Sequence, residues 1–165
     1  MDCHCFYQSP LGPLLLVSNG TELTGLWTEK LLSSHLTDHL REDLPVFMVA
    51  KCWLDRYFAG QSPTVSDIPL KAVGTPFQML IWDLLLQIPY GQSVTYGYLA
   101  KQAAAILGRQ AMSAQAVGNA VGKNPISILI PCHRVIGADG SLTGYTGGLD
   151  VKTYLLKLEG IPVRP

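Results

Sequence analysis

The 165-residue chain is 48% hydrophobic and 15% charged, long enough to bury a substantial apolar core without disulfide or metal staples. No apolar run approaches a membrane span, and Met1-Asp2-Cys3-His4-Cys5 has neither the basic segment nor the apolar core of a secretory leader, so a cytoplasmic protein is expected. Twelve Lys/Arg balance twelve Asp/Glu, but residues 1–71 carry five against eight (−3) and residues 72–165 seven against four (+3), so any nucleic-acid surface belongs on the second half. The excess there is small, which predicts few phosphate contacts and a shallow salt dependence.

In chain order, Tyr7 to Pro13 is a turn cluster, Leu14 to Ser18 a strand, Asn19-Gly20 a hairpin signal and Leu23 to Thr28 a second strand, together a small meander. Leu31 to Leu40 and Val46 to Phe58 read as helices, the second with Val49, Trp53 and Tyr57 along one face. Gly60-Gln61-Ser62-Pro63 ends it, and a polar linker follows. Cysteines 3, 5, 52 and 132 have no framework spacing, so free thiols are expected, with Cys52 a buried hydrophobe inside its helix. Cys3-His4-Cys5 with His35 and His39 is discounted as a metal site because Cys-x-Cys is not the usual structural spacing; no metal and no cofactor are expected.

Thr75-Pro76 starts a helix in the expected form, threonine as N-cap and proline at the first helical position, leading into Phe77 to Gln87. Ile88-Pro89-Tyr90-Gly91 stops it. Val94 to Leu107 has helical spacing, Gly108 closes it, and Ser113 caps a short helix from Ala114 to Val121, a helix-turn-helix candidate. Ala114, Val117 and Val121 form its expected buried stripe, leaving Gln115, Gly118, Asn119 and Gly122 on a nearly flat outer face. A helical glycine costs roughly 1 kcal/mol relative to alanine, so two here suggest close approach to the backbone, by a ligand or by a neighbouring helix.

Ile126 to Ile130 is apolar and β-branched, read as a buried strand, and it delivers Pro131-Cys132-His133-Arg134-Val135. The proline presets the backbone before the thiol, the histidine offers a proton acceptor, and the arginine adds positive charge that favours thiolate. Bringing a thiol pKa from about 8.5 to about 6 requires roughly 3.4 kcal/mol of preferential stabilisation of the anion, which an imidazole, a guanidinium and a helix terminus together would supply. Gly137-Ala138-Asp139-Gly140 reads as a turn.

With Asn124-Pro125 upstream and Gly144-Tyr145-Thr146-Gly147-Gly148-Leu149 downstream, this stretch resembles the O6-alkylguanine-DNA alkyltransferases, single-turnover DNA repair proteins. The likeness runs from Gly74 to Gly160 and is thinner over residues 1–71, where it rests on Ser9-Pro10-Leu11-Gly12-Pro13-Leu14. It implies an α+β fold, with a small ribonuclease-H-like α/β domain over 1–71 and a mostly helical, helix-turn-helix domain over 72–165. The implied activity is irreversible, stoichiometric transfer of an alkyl group to Cys132 from O6 of alkylguanine, with O4 of alkylthymine as an alternative donor. The implied partner is double-stranded DNA containing O6-alkylguanine, bound by a monomer with minor-groove binding and base flipping.

Residue by residue, the resemblance has His133 act on Cys132 through a water, Glu159 orient His133, Tyr96 reach the purine N3, and Asn124 serve as a hinge. It assigns Ala116, Gly118, Arg134, Ser141, Tyr145, Thr146 and Gly147 to DNA or substrate binding. Gln115 stands where the family's Arg-Ala-Val-Gly motif has its arginine; it keeps hydrogen-bonding capacity but brings no charge and less stacking area. A cysteine hydrolase, a lesion sensor that binds without transfer and a transcriptional regulator are the alternatives. The first lacks an oxyanion or third-residue signature, the second lacks the cysteine present here, and the third needs base-reading side chains that the glycine- and alanine-rich helix does not offer.

Overall fold

A computed structural model describes residues 1–142, 145 and 147–163, which cluster into two compact units: residues 1–73 with 125–129, and residues 74–124 with the described residues from 130 onward. The first is built on an antiparallel meander, β1 (Cys3–Ser9), β2 (Gly12–Ser18) and β3 (Leu23–Trp27), in that spatial order. β1 lies where the sequence suggested no strand, since Cys3, His4 and Cys5 are all buried instead of alternating. Asn19-Gly20 belongs to a four-residue loop, in which the Asn19 side-chain oxygen accepts from the Thr21 and Glu22 amides at 3.1 and 2.8 Å.

Single bridges close both sheet edges: Leu40 pairs with His4, while Leu70 and Ile126 pair with β3. Irregular chain thus takes up edge groups that would otherwise template aggregation. Helix α1 (Pro45–Phe58) covers the sheet with Val46, Phe47, Ala50, Trp53, Leu54 and Tyr57. Val49 is not on that face and stays 41% exposed, and Cys52 is exposed, not buried. The helix expected over Leu31 to Leu40 is replaced by one 3-10 turn, Glu29–Leu31, followed by irregular chain. Those residues serve the sheet edge instead, the His4 amide donating to His39 O and the Arg41 amide to His4 O, both at 2.9 Å.

The apolar run Ile126 to Ile130 is not a strand. It makes one bridge, through Leu26, and then turns at Ile128, whose φ is 73°. A β-branched residue in the left-handed region costs about 1–3 kcal/mol, so the surrounding structure must hold it there.

The second unit contains α2 (Pro76–Leu86), α3 (Tyr96–Leu107), α4 (Ala114–Gly122) and α5 (Leu149–Leu158). Thr75 and Gln78 form a capping box at the start of α2, contributing about 1 kcal/mol. Thr95 and Ser113 cap α3 and α4, and Gly108 closes α3 at φ 67°. α2 and α4 are pinned by the Trp82 indole donating to Ala120 O at 2.9 Å. A β-carbon at Gly74 would collide with that indole ring, which explains the glycine. A short parallel ladder joins β4 (Val94–Thr95), just before α3, to β5 (Val135–Ile136). No helix among the described residues is long and apolar enough to cross a membrane.

Candidate functional site

Cys132 opens a 3-10 turn, Cys132–Arg134, that runs directly into β5. The thiol is therefore held at a tight turn, with the β4–β5 ladder fixing its exit beside the start of α3. Its entry is fixed too: the Asn124 side-chain amide donates to Ile130 O at 2.8 Å, clasping the chain across the 125–129 excursion.

His133 and Glu159 are buried, and His133 Nε2 meets Glu159 Oε2 at 2.5 Å. The other carboxylate oxygen accepts from Arg134 Nε at 2.8 Å and from the Gly91 amide at 3.1 Å. An ionised carboxylate only accepts, so Nε2 carries the imidazole proton and Nδ1 carries the lone pair. Burial holds the His133 pKa below its usual value, although Glu159 opposes this, so the ring is neutral at physiological pH and able to take a proton. Gly91 adopts φ 80°, a conformation that suits glycine and turns its amide toward the carboxylate.

Arg134 is turned inward. Besides Glu159 it donates to Ile88 O at 2.7 Å, with its guanidinium 5.8 Å from the Tyr90 ring centre. Its charge is thus matched by Glu159 and does not serve the sulfur, where the sequence reading had it favour the thiolate. Lys152 supplies the positive charge instead. It lies 1% exposed on α5, donates to Val135 O at 2.6 Å, and has its ammonium 6.0 Å from the Tyr96 ring centre. Burial lowers its pKa to about 8, while Cys132 draws it up.

The resting thiol is pushed up, not down. Burial is the largest cause, and it outweighs the hydrogen bond from Asn124, the charge of Lys152 and the hydrogen bond from Tyr145, all of which favour thiolate. Burial thus favours the protonated thiol, while Asn124, Lys152 and Tyr145 are already placed to favour its anion.

Tyr96, the first residue of α3, has Gly118 of α4 beside it: a β-carbon there would meet the ring at 3.8 Å, ordinary contact. Internal packing therefore does not require glycine at 118. The buried stripe of α4 is Val117, Ala120 and Val121; Ala114 is exposed, as are Gln115 and Asn119, and Ala116 is half-buried. Ser141 closes the Gly137 turn, its carbonyl accepting from Gly137 N at 2.9 Å, and Gly147 is buried. Thr146 lies outside the described residues.

Sequence reading missed Lys152 and Gly91. The signal for the lysine is its place on the α5 stripe with Val151, Leu155 and Leu156, where an ammonium needs a reason to be buried.

The description "6-O-methylguanine DNA methyltransferase, ribonuclease-like domain" matches residues 3–72, and "6-O-methylguanine DNA methyltransferase, DNA binding domain" matches residues 76–161. The chain is 44% identical over 160 residues to a methylated-DNA--protein-cysteine methyltransferase of Haemophilus influenzae, covering 96% of this chain and 87% of that protein. A protein of the same name from Mycobacterium bovis is 45% identical over 152 residues, covering 92% and 88%. The crystal structure of Mycobacterium tuberculosis O6-methylguanine methyltransferase superposes with TM-score 0.81 at 42% identity, covering 96% of this chain and 93% of that one. The Mycobacterium tuberculosis protein in complex with DNA gives 0.80 at 43% identity, covering 95% and 92%.

Proposed function

The chain belongs to the 6-O-methylguanine DNA methyltransferase family, and we propose that it repairs duplex DNA by moving the alkyl group of an O6-alkylguanine onto its own Cys132. The supporting observation is the buried relay in which Glu159 fixes the proton-bearing nitrogen of the imidazole next in sequence to the thiol. His133 Nδ1 takes the Cys132 proton, through a water. Glu159 stabilises the imidazolium that forms, and Asn124, Tyr145 and Lys152 stabilise the thiolate.

The sulfur attacks the alkyl carbon. The S–C bond forms, the C–O6 bond breaks, and its electron pair leaves with the purine. Tyr96 donates its phenolic hydrogen bond to N3, which stabilises the departing base; Tyr145 and Gly147 wall the base and its O6. The thioether has no easy hydrolytic route, so one chain accepts one alkyl group. A guanine within a duplex is out of reach of so buried a sulfur, so the nucleotide is rotated out of the stack, at a few kcal/mol that a weakened alkylated pair reduces. The small outer face of α4 suits a minor groove only about 6 Å wide. A single chain suffices for this, so the working form is a monomer.

Incubation with a duplex containing O6-methylguanine, followed by intact-protein mass measurement, should add one methyl per chain, on Cys132, and none in Cys132→Ala. Methyl on another residue, or turnover beyond one equivalent, would overturn the assignment. Binding without any mass change would identify a lesion sensor.

A further inference from the structure

The turn between α2 and β4 grips the buried relay from its far side. The Pro89 carbonyl accepts from the Gln92 amide at 3.1 Å, closing a four-residue turn with Tyr90 second and Gly91, at φ 80°, third, as the type II form requires. The Ile88 carbonyl accepts from Arg134 Nη1 at 2.7 Å, the Gly91 amide donates to Glu159 Oε1 at 3.1 Å, and the centre of the half-buried Tyr90 ring lies 5.8 Å from the Arg134 guanidinium carbon. Arg134 and Gly91 thus share Oε1, and Oε2 is left to His133. The two bonds to Arg134 hold the guanidinium at its edge, whereas the ring lies against its face and keeps water from it.

We infer that Tyr90 is a positioning residue of this relay: its ring holds the Arg134 guanidinium on Glu159 Oε1 and so keeps Oε2 turned to His133. This rests on the repair reading above and adds to it a side chain that acts through Arg134 and not on the substrate. Among the described residues, the charges that act on His133 are Glu159, Arg134 and Lys152, with the Cys132 thiol next to it in sequence. Asp83 of α2 and Asp150 and Lys157 of α5, the other charges on the helices packed against the Cys132–Arg134 turn, are exposed. Burial is the main reason that the His133 pKa lies low; Glu159 draws it up, and Arg134 and Lys152 draw it down. Without the ring, water reaches the guanidinium, screens its charge and loosens its hold on Oε1. Both changes leave the imidazole a larger share of the carboxylate charge, so it becomes more basic and is more often protonated before it can take the Cys132 proton. The Tyr90 hydroxyl is not the holding part, since its bond to Leu158 O is 3.4 Å long, beyond the usual hydrogen-bond range.

The test follows single-turnover methyl transfer from a duplex containing O6-methylguanine over roughly pH 5 to 9, in the native chain, Tyr90→Phe, Tyr90→Leu and Tyr90→Met, with thermal melting to confirm that each is folded. Transfer slows on the acid side as His133 protonates. In Tyr90→Leu and Tyr90→Met that limb should lie about one pH unit higher, about tenfold slower than native on its steep part and converging on the native rate as pH rises. Tyr90→Phe keeps the ring and should keep the native limb position. Leucine and methionine variants slowed by one factor at every pH, or not slowed at all, would overturn the inference, as would a phenylalanine variant displaced as far as they are. The His133 ring nitrogens are titrated by NMR in a Cys132→Ser background, which needs no substrate, and the loss of the ring should raise their midpoint by the same unit. If the native chain transfers no methyl at any pH, the repair reading fails and this titration still decides the role of Tyr90; if it transfers methyl and the midpoint does not move, only the role of Tyr90 fails.

Discussion

Around Cys132 an arginine, a lysine, a histidine and a glutamate lie almost wholly out of water, each tied to a partner at 2.5 to 2.8 Å, while the exposed positions of α4 are alanine, glutamine and asparagine. The inner region places every charge by a hydrogen bond, so its geometry is set before substrate arrives. The outer region fixes almost nothing and presents small, uncharged side chains. Substitutions should therefore act differently in the two: inside, they should damage folding and chemistry together; outside, they should change affinity and leave the folded state alone.

The strongest test of that division is Glu159→Gln. Arg134 would keep its buried charge and lose its counter-ion, and breaking such a pair costs about 3–5 kcal/mol. Denaturant melts should show this loss, and single-turnover transfer should fall about a hundredfold because the imidazole loses its orienting anion. A variant as stable as the native chain would mean that the inner charges are not interdependent.

Lys152→Met separates chemistry from folding within the inner region. Removing the ammonium raises the thiol pKa further, and each unit lowers the thiolate fraction tenfold, so transfer at neutral pH should fall about tenfold. Stability moves with the opposite sign. Because the folded lysine titrates at about 8 and the free side chain at 10.5, its protonated form is disfavoured by folding; the penalty is complete below pH 8 and fades as pH rises toward 10.5. In a Cys132→Ala background, which removes the thiol titration, the Lys152 chain should gain about 1.5 kcal/mol relative to its methionine variant between pH 8 and 9.5. Parallel urea midpoints at the two pH values check this.

The smallest effect is expected outside. Gln115→Arg adds a charge and a stacking surface to the outer face of α4, and should raise duplex affinity roughly fivefold and speed transfer, with an unchanged melting temperature. If affinity and transfer rate both stay as they are, glutamine is not the weak point of that face.

The features legible in the sequence were those written in local chemistry. Thr75-Pro76-Phe77-Gln78 carries its capping box in four letters, Ser113 and Gly108 mark helix ends by type, and the adjacency of Cys132 and His133 needs no fold to be noticed. The misreadings share one cause, that apolar letters give burial but not backbone path. Ile126 to Ile130 is as buried as a strand, yet only tertiary context could hold Ile128 at a positive φ. Leu31 to Leu40 has helical spacing, yet its backbone is claimed by the edge of the sheet. Nor does sequence say which of two cations faces the sulfur: the one beside it in the chain is bound to Glu159, and the one twenty residues later carries the charge.

The division of the chain into two units has a bearing on biosynthesis. The first unit includes residues 125–129, with Leu26 pairing to Ile126 and its amide bonded to Pro125 O at 2.9 Å. A ribosome making this polypeptide from its amino end must therefore extrude residue 129 before the first-made half can finish its own sheet edge. The nascent meander waits, one edge unfinished, while α2, α3 and α4 emerge, and the step that completes it also brings out the segment leading straight to the reactive sulfur.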